Sequence, residues 1–210
     1  MVTLPLFPLN TVLFPGGHLP LQIFEVRYLD LVKRCIENGE AFGVVPLLEG
    51  SEVRVPGQHE KLSGAGTMAR IISWDAPAAG LLKIHCIGTT RFRILSCEQQ
   101  KNGLWLGEVV ALNDDLDVPV PSEQQDVANA LATLIRSLQK KQIPSERMQL
   151  APPYRLDDAG WVANRWCELL RLDMTEKQRL LVQENPLVRL ELIQDVLGAN
   201  GLLDTSGAAR

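Results

Sequence analysis

Hydrophobic side chains follow one period before residue 113 and another after residue 121, and an all-β or all-α fold accommodates only one of them. In the first stretch, short apolar runs are cut by Gly and Pro, the pattern of strands joined by turns. In the second, apolar residues recur at three and four, as in helices with one buried face. The polar stretch NDDLDVPVP, residues 113–121, separates them. An α+β fold is therefore predicted, with a β-barrel over 1–117, a small helical bundle over 118–198 and a flexible tail over 199–210.

Extended segments are expected at 2–7, 11–14 and 19–24, with Pro8, Pro15 and Pro20 at strand ends, edges or bulges because proline donates nothing to a ladder. A helix over 25–38 would bury Val26, Leu29, Val32 and Ile36 and end at Gly39. Residues 41–48 read as a buried strand, and 49–65 as a long polar, Gly-rich loop. Segments 67–74, 81–87, 91–97 and 104–112 read as an antiparallel meander. Leu82, Ile84 and Cys86 alternate with Lys83 and His85, and Asn102-Gly103 marks the last hairpin. Closure into a barrel would remove the exposed edges that so many short strands create.

Beyond the linker, Ser122 and Gln125 form a capping-box pattern ahead of Val127, Ala130, Leu131, Leu134, Ile135 and Leu138, with Pro144 past the helix end. Asp157 or Asp158 would cap a helix running to Arg171 that buries Val162, Trp166, Leu169 and Leu170. Trp161 and Trp166 stand about 500° apart around that helix, on different stripes. Asp173 with Glu176 opens a third helix. Asn185-Pro186 opens a fourth, which buries Leu187, Leu190, Ile193 and Leu197 and stops at Gly198.

Several classes of chemistry find no support. Cys35, Cys86, Cys97 and Cys167 show no CxxC spacing, so four buried or semi-buried thiols in a reducing cytoplasm are expected in place of disulfides or a zinc knuckle. No secretory signal and no apolar run of about 18 residues is visible, which predicts a cytoplasmic protein with no membrane partner. The first 110 residues hold ten basic and ten acidic side chains, and the whole chain carries −4, so nucleic acid is a poor partner. Neither GxxxxGK[ST] nor G-x-S-x-G occurs. His18, His59 and His85 lie far apart, Asp114, Asp115 and Asp117 lack the further oxygen ligands of a calcium loop, and Gly64-Ala65-Gly66 is a weak phosphate signal. No metal and no cofactor is expected, and Glu25 and Arg27 read as structural groups at a helix start. The pattern predicts binding in place of covalent chemistry.

The runs Leu4-Pro5-Leu6-Phe7-Pro8-Leu9, Val12-Leu13-Phe14-Pro15-Gly16, Leu19-Pro20-Leu21 and Ile23-Phe24-Glu25-Val26-Arg27-Tyr28 resemble the opening signature of the Lon protease N-terminal domain. Phe42-Gly43-Val44-Val45, Gly66-Thr67-Met68-Ala69-Arg70-Ile71 and Gly88-Thr89-Thr90-Arg91-Phe92-Arg93-Ile94 are similar to later strands of that family, and residues 176–181 and 189–193 to its helices. The resemblance runs from about residue 3 to 197. It implies a PUA-like barrel followed by a helical bundle, acting in recognition of unfolded or extended polypeptides or of a protein partner. Nucleotide hydrolysis and Ser-Lys proteolysis are not implied. An RNA-binding PUA-like protein and a self-associating scaffold are the alternatives.

For the binding surface, Leu13, Phe14, Pro15 and the turn through His18 are the candidates, together with the 49–65 loop. Prolines there limit strand pairing, and apolar side chains beside them could meet an extended chain. The competing assignment places Leu13 and Phe14 in the barrel core.

Overall fold

The computed structural model describes residues 1–53, 57, 59–141 and 150–203. Along them the chain forms β1 (Val2–Leu9), β2 (His18–Ile23), α1 (Val26–Asn38), β3 (Phe42–Glu49), β4 (Lys61–Leu62), β5 (Ala65–Ala78), β6 (Leu81–Gln99) and β7 (Trp105–Ala111). A 3-10 turn (Ser122–Gln124) leads into α2 (Gln125–Lys140), α3 (Ala159–Leu169), α4 (Met174–Val182) and α5 (Pro186–Ala199). The predicted α+β order holds.

The strands pair in the order β1-β7-β6-β5-β3, and β1 then pairs with β3 to close the ring. The closing pair is parallel, joining Leu6 to Gly43 and Leu9 to Pro46. A parallel pair needs a long crossover, and β2 with α1 supplies it. β2 adds antiparallel to β6, and among the described residues no strand pairs with its other side, which suits Pro20.

Two predicted strands, 81–87 and 91–97, are one. β6 runs unbroken through Gly88 and keeps both halves paired to β5 by register shifts, so bulges accommodate the bend that the Gly-Thr-Thr stretch signals. Residues 11–14, expected as a strand, join no ladder. The 49–65 segment contains β4, and residues 54–56 and 58 lie outside the described residues. Pro144 and residues 204–210 of the expected tail lie outside them too.

α1 ends at Gly39 as expected, with its inner face rotated from the expected one so that Val32 is the fully buried member of the expected set. Tyr28, Leu31, Val32 and Cys35 are buried, while Val26 is 72% exposed and Leu29 and Ile36 flank the stripe. The buried set follows i, i+3, i+4, i+7 from an amphipathic tyrosine. It meets Phe7, Phe42, Ala69, Ile84 and Cys86 from four strands.

In the helical half, Ser122 caps nothing. After Pro121 the chain tightens into the 3-10 turn, Ser122 Oγ donates to Glu123, and α2 starts a turn later. The other starts behave as expected. Asp158 accepts from the Trp161 amide, Asp173 and Glu176 complete a capping box, and Asn185 caps α5 with Pro186 at its first position. α3 ends at Leu169, two residues before the expected end. Trp166 is buried and donates to the Val127 carbonyl at 3.1 Å, whereas Trp161 is half-buried between Tyr154 and Arg165.

Candidate functional site

The segment between β1 and β2 decides which surfaces can bind. Its side chains alternate as in a strand: Leu13 enters the core under α1, while Val12 and Phe14 enter the helical core beside Leu131, Val162 and Trp166. Side chains from the first half thus cross the division expected near residue 117. The segment is a strap, pinned from both sides.

On the barrel side, Thr67 Oγ1 donates to the Leu13 carbonyl at 2.6 Å, and Gly88 exchanges backbone hydrogen bonds with Gly16 and Gly17. On the helical side, Arg165 donates to the Gly16 carbonyl at 2.6 Å and the Pro15 carbonyl at 2.7 Å. Glu168 accepts from the Phe14 amide at 3.2 Å and pairs with Arg165.

This corrects the expected surface. Leu13 and Phe14 are 4% and 0% exposed and present no side chain to a partner. Pro15 is half-buried, and its carbonyl is taken by Arg165. His18 is half-buried, and its Nδ1 lies 3.0 Å from Nε2 of His85 on β6, so two histidines far apart in sequence meet across strands. Among the described residues no group of three or more His, Cys, Asp or Glu could hold a metal.

Burial raises the Glu168 carboxyl to about 7, against the opposing pull of Arg165, the Phe14 amide and Lys177. The folded protein therefore holds a proton here that the unfolded chain releases near pH 4.5. Stability contributed by Glu168 is full below that pH and falls as pH rises to about 7. His18 acts in the opposite sense, because burial, His85 and Arg165 lower its pKa, so its contribution is lost as pH falls below 6.5. Glu168→Gln is expected to remove the decline in urea midpoint between pH 4.5 and 7; an unchanged decline would assign it to other groups.

An open apolar groove begins two residues beyond His18. Pro20 to Glu25, Glu52 and Val53 line it together with the buried Phe7, Leu9 and Tyr28. Phe24 is 54% exposed and Val53 49%. A large apolar side chain held in water just before a helix is an unusual use of phenylalanine, and only the fold reveals it. A second hollow lies between the end of α1 and β5, where Ile36, Ile72 and Trp74 stand with Arg70 and Glu40.

The residues that carry the family resemblance hold the strap and the barrel–bundle joint. A Cβ on Gly66 would run into the Val44 carbonyl, and one on Gly88 into that of Phe14. Arg91, 1% exposed, reaches out of β6 to the carbonyls of Leu181, Gln183 and Asn113 and to Asp115. The model of the ATP-dependent protease La (LON) substrate-binding domain matches residues 3–198. The chain belongs to that family.

It is 34% identical to the Lon N-terminal domain protein of Xanthomonas campestris, whose crystal structure aligns over 93% of this chain and 98% of that one with a TM-score of 0.72. The N-terminal domain of a Mycobacterium avium complex Lon protease shares the fold at 15% identity, with a TM-score of 0.59 over 92% of this chain and 97% of that one. The Lon protease of Anaeromyxobacter dehalogenans is 25% identical over 92% of this chain, and Lon protease 2 of Myxococcus xanthus is 26% identical over the same share. Each match takes in 23% of the relative, so this Lon-type domain spans about a quarter of their length. Among the described residues no helix is long and apolar enough to cross a membrane.

Proposed function

We propose that this Lon-type domain is a non-catalytic module that binds extended or unfolded polypeptide in the groove beside β2, in the service of cytoplasmic protein quality control. The supporting observation is the exposure of Phe24 and Val53 over an apolar base in a member of a substrate-binding family. Exposed apolar surface of this kind costs solubility and marks contact sites. The groove flanks a strand that, among the described residues, is laddered on one side, so a bound segment can lie parallel to β2 and seat a side chain beside Phe24.

Fluorescence anisotropy with a labelled, reduced and alkylated model protein tests this. The parent is expected to bind the unfolded client and leave its native form unbound. Phe24→Ser with Val53→Ser should weaken binding roughly tenfold or more while leaving the melting temperature within a few degrees, because both side chains are largely exposed. Trp74→Ser serves as the comparison on the second hollow and should change binding little. Casein cleavage without metal or ATP, abolished by one point mutation, would overturn the non-catalytic assignment.

A further inference from the structure

The His18–His85 contact lies where the strap passes into β2. The ladder pairs His18 with Ile87 and Pro20 with His85, so the two imidazoles are diagonal neighbours on one face of the sheet. Leu82, Ile84 and Cys86 turn to the other face, into the core. The rings meet edge to face with centroids 5.1 Å apart, and at 3.0 Å one ring nitrogen donates to the lone pair of the other. Both side chains are half-buried, so protons reach them from solvent.

One added proton leaves this contact intact, because an imidazolium still donates and its neutral neighbour still accepts. A second proton sets two N–H donors and two positive charges face to face with no acceptor between them. The surroundings add to the repulsion. Arg165 of α3 acts on His18 as a further cation. Its counter-ion Glu168, 3.2 Å away, has its carboxyl raised to about 7 and so loses its charge over the same acidification. Lys177 of α4 donates to the Glu168 carbonyl at 3.3 Å, and on the sheet Lys83 stands two residues from His85 with Asp75 opposite it on β5.

The backbone beside His18 shows what the contact holds. The Gly16 amide donates to the Gly88 carbonyl and the Gly88 amide to the Gly17 carbonyl, both at 2.8 Å. Gly16 turns at a φ of 72°, and a Cβ on Gly17 would overlap the Glu168 carboxylate. Two adjacent glycines can swing with no side chain of their own to rehouse. Thr67 holds the Leu13 carbonyl and Arg165 that of Pro15, so such a swing stops short of the buried Leu13 and Phe14.

We infer that the His18–His85 pair is a proton-operated latch. Carrying at most one proton, it keeps the Gly16-Gly17 turn and the start of β2 on β6; carrying two, it lets that turn leave Gly88 while the rest of the barrel stays closed. The latch needs no bound polypeptide.

Amide hydrogen exchange of the full chain, read residue by residue and corrected for the intrinsic rate, tests this. The Gly16 and Gly88 amides are expected to lose about tenfold in protection between about pH 7.5 and pH 5, while the β1–β7 ladder keeps its own. Glu168 works in the opposite sense over this range, since its raised carboxyl favours the closed joint as pH falls. His85→Gln keeps a neutral hydrogen-bonding group against His18 and removes the second charge, so the loss should shrink to about twofold or less. In that variant His18 should titrate roughly half a unit or more higher, because the repulsion from His85 is gone while burial and Arg165 remain. An equal loss of protection in His85→Gln, or a His18 titration that the substitution leaves in place, would overturn the inference. In the parent alone, no loss at either glycine, or a loss shared by the β1–β7 ladder, would overturn it as well.

Discussion

Replacing Asp115 by Ala is expected to cost on the order of 3–5 kcal/mol and to lower the melting temperature by roughly 10 °C or more. Two buried guanidiniums converge on this one carboxylate: Arg91 at 2.9 Å, and Arg189 at 2.6 Å through one nitrogen and 3.0 Å through the other. Arg91 and Arg189 are 1% and 0% exposed, so neither can turn to water when the anion is gone. Carbonyls of Asn113, Leu180, Leu181 and Gln183 accept from them but carry no full charge to offset two cations. Asn164 also bonds Asp115 and Arg189, which brings α3 into the same node. Because β6, the linker, α3, α4 and α5 all meet there, the variant should loosen the helical half from the barrel. Denaturant titration followed by Trp fluorescence and by far-UV circular dichroism would detect this, since the two signals should separate. Coincident transitions with a loss under about 1 kcal/mol would show that the carbonyls suffice.

Gly88→Ala is the second large expected effect, at or beyond the upper end of the roughly 1–3 kcal/mol that overpacking costs. The added methyl would overlap the Phe14 carbonyl oxygen, lie 3.2 Å from its carbon and press Leu13 at 3.0 Å. These neighbours leave little room to yield, because the strap backbone is held by Thr67, Arg165 and Glu168. Gly64→Ala is the internal control: nothing lies within 4 Å of the added atom, and the change should stay within about 0.5 kcal/mol. Urea denaturation of the pair checks both values. Similar stabilities would mean that the strap shifts without cost.

Features set by neighbouring residues were legible in the sequence. The change of period near residue 113, the caps at Asp173 and Asn185 and the end of α1 at Gly39 each depend on a few adjacent side chains. The continuity of β6 was not legible, because a Gly-containing stretch can break a strand or bend it, and only its pairing with β5 decides which. Leu13 and Phe14 show the same limit at the site. Their apolar character is equally suited to an exposed contact and to a core, and the choice falls to α1 and later strands for Leu13 and to residues 127–197 for Phe14, most of them distant in sequence. The groove formed by Phe24, Val53 and Tyr28 draws on three segments, so no local pattern could reveal it. In α1 the expected face is rotated: Val32 is buried as expected and Leu29 and Ile36 are half-buried, while Tyr28, Leu31 and Cys35 take the innermost places and Val26 faces water.

The strap also sets an order of events during folding. Phe14 is synthesised more than a hundred residues ahead of the helices that house it, α2, α3 and α5. β1 likewise waits for β7, about a hundred residues later, before the ring can shut. A growing chain therefore carries an unhoused Phe14 until those helices have been made, in a segment too proline-rich to add readily to a neighbour's sheet.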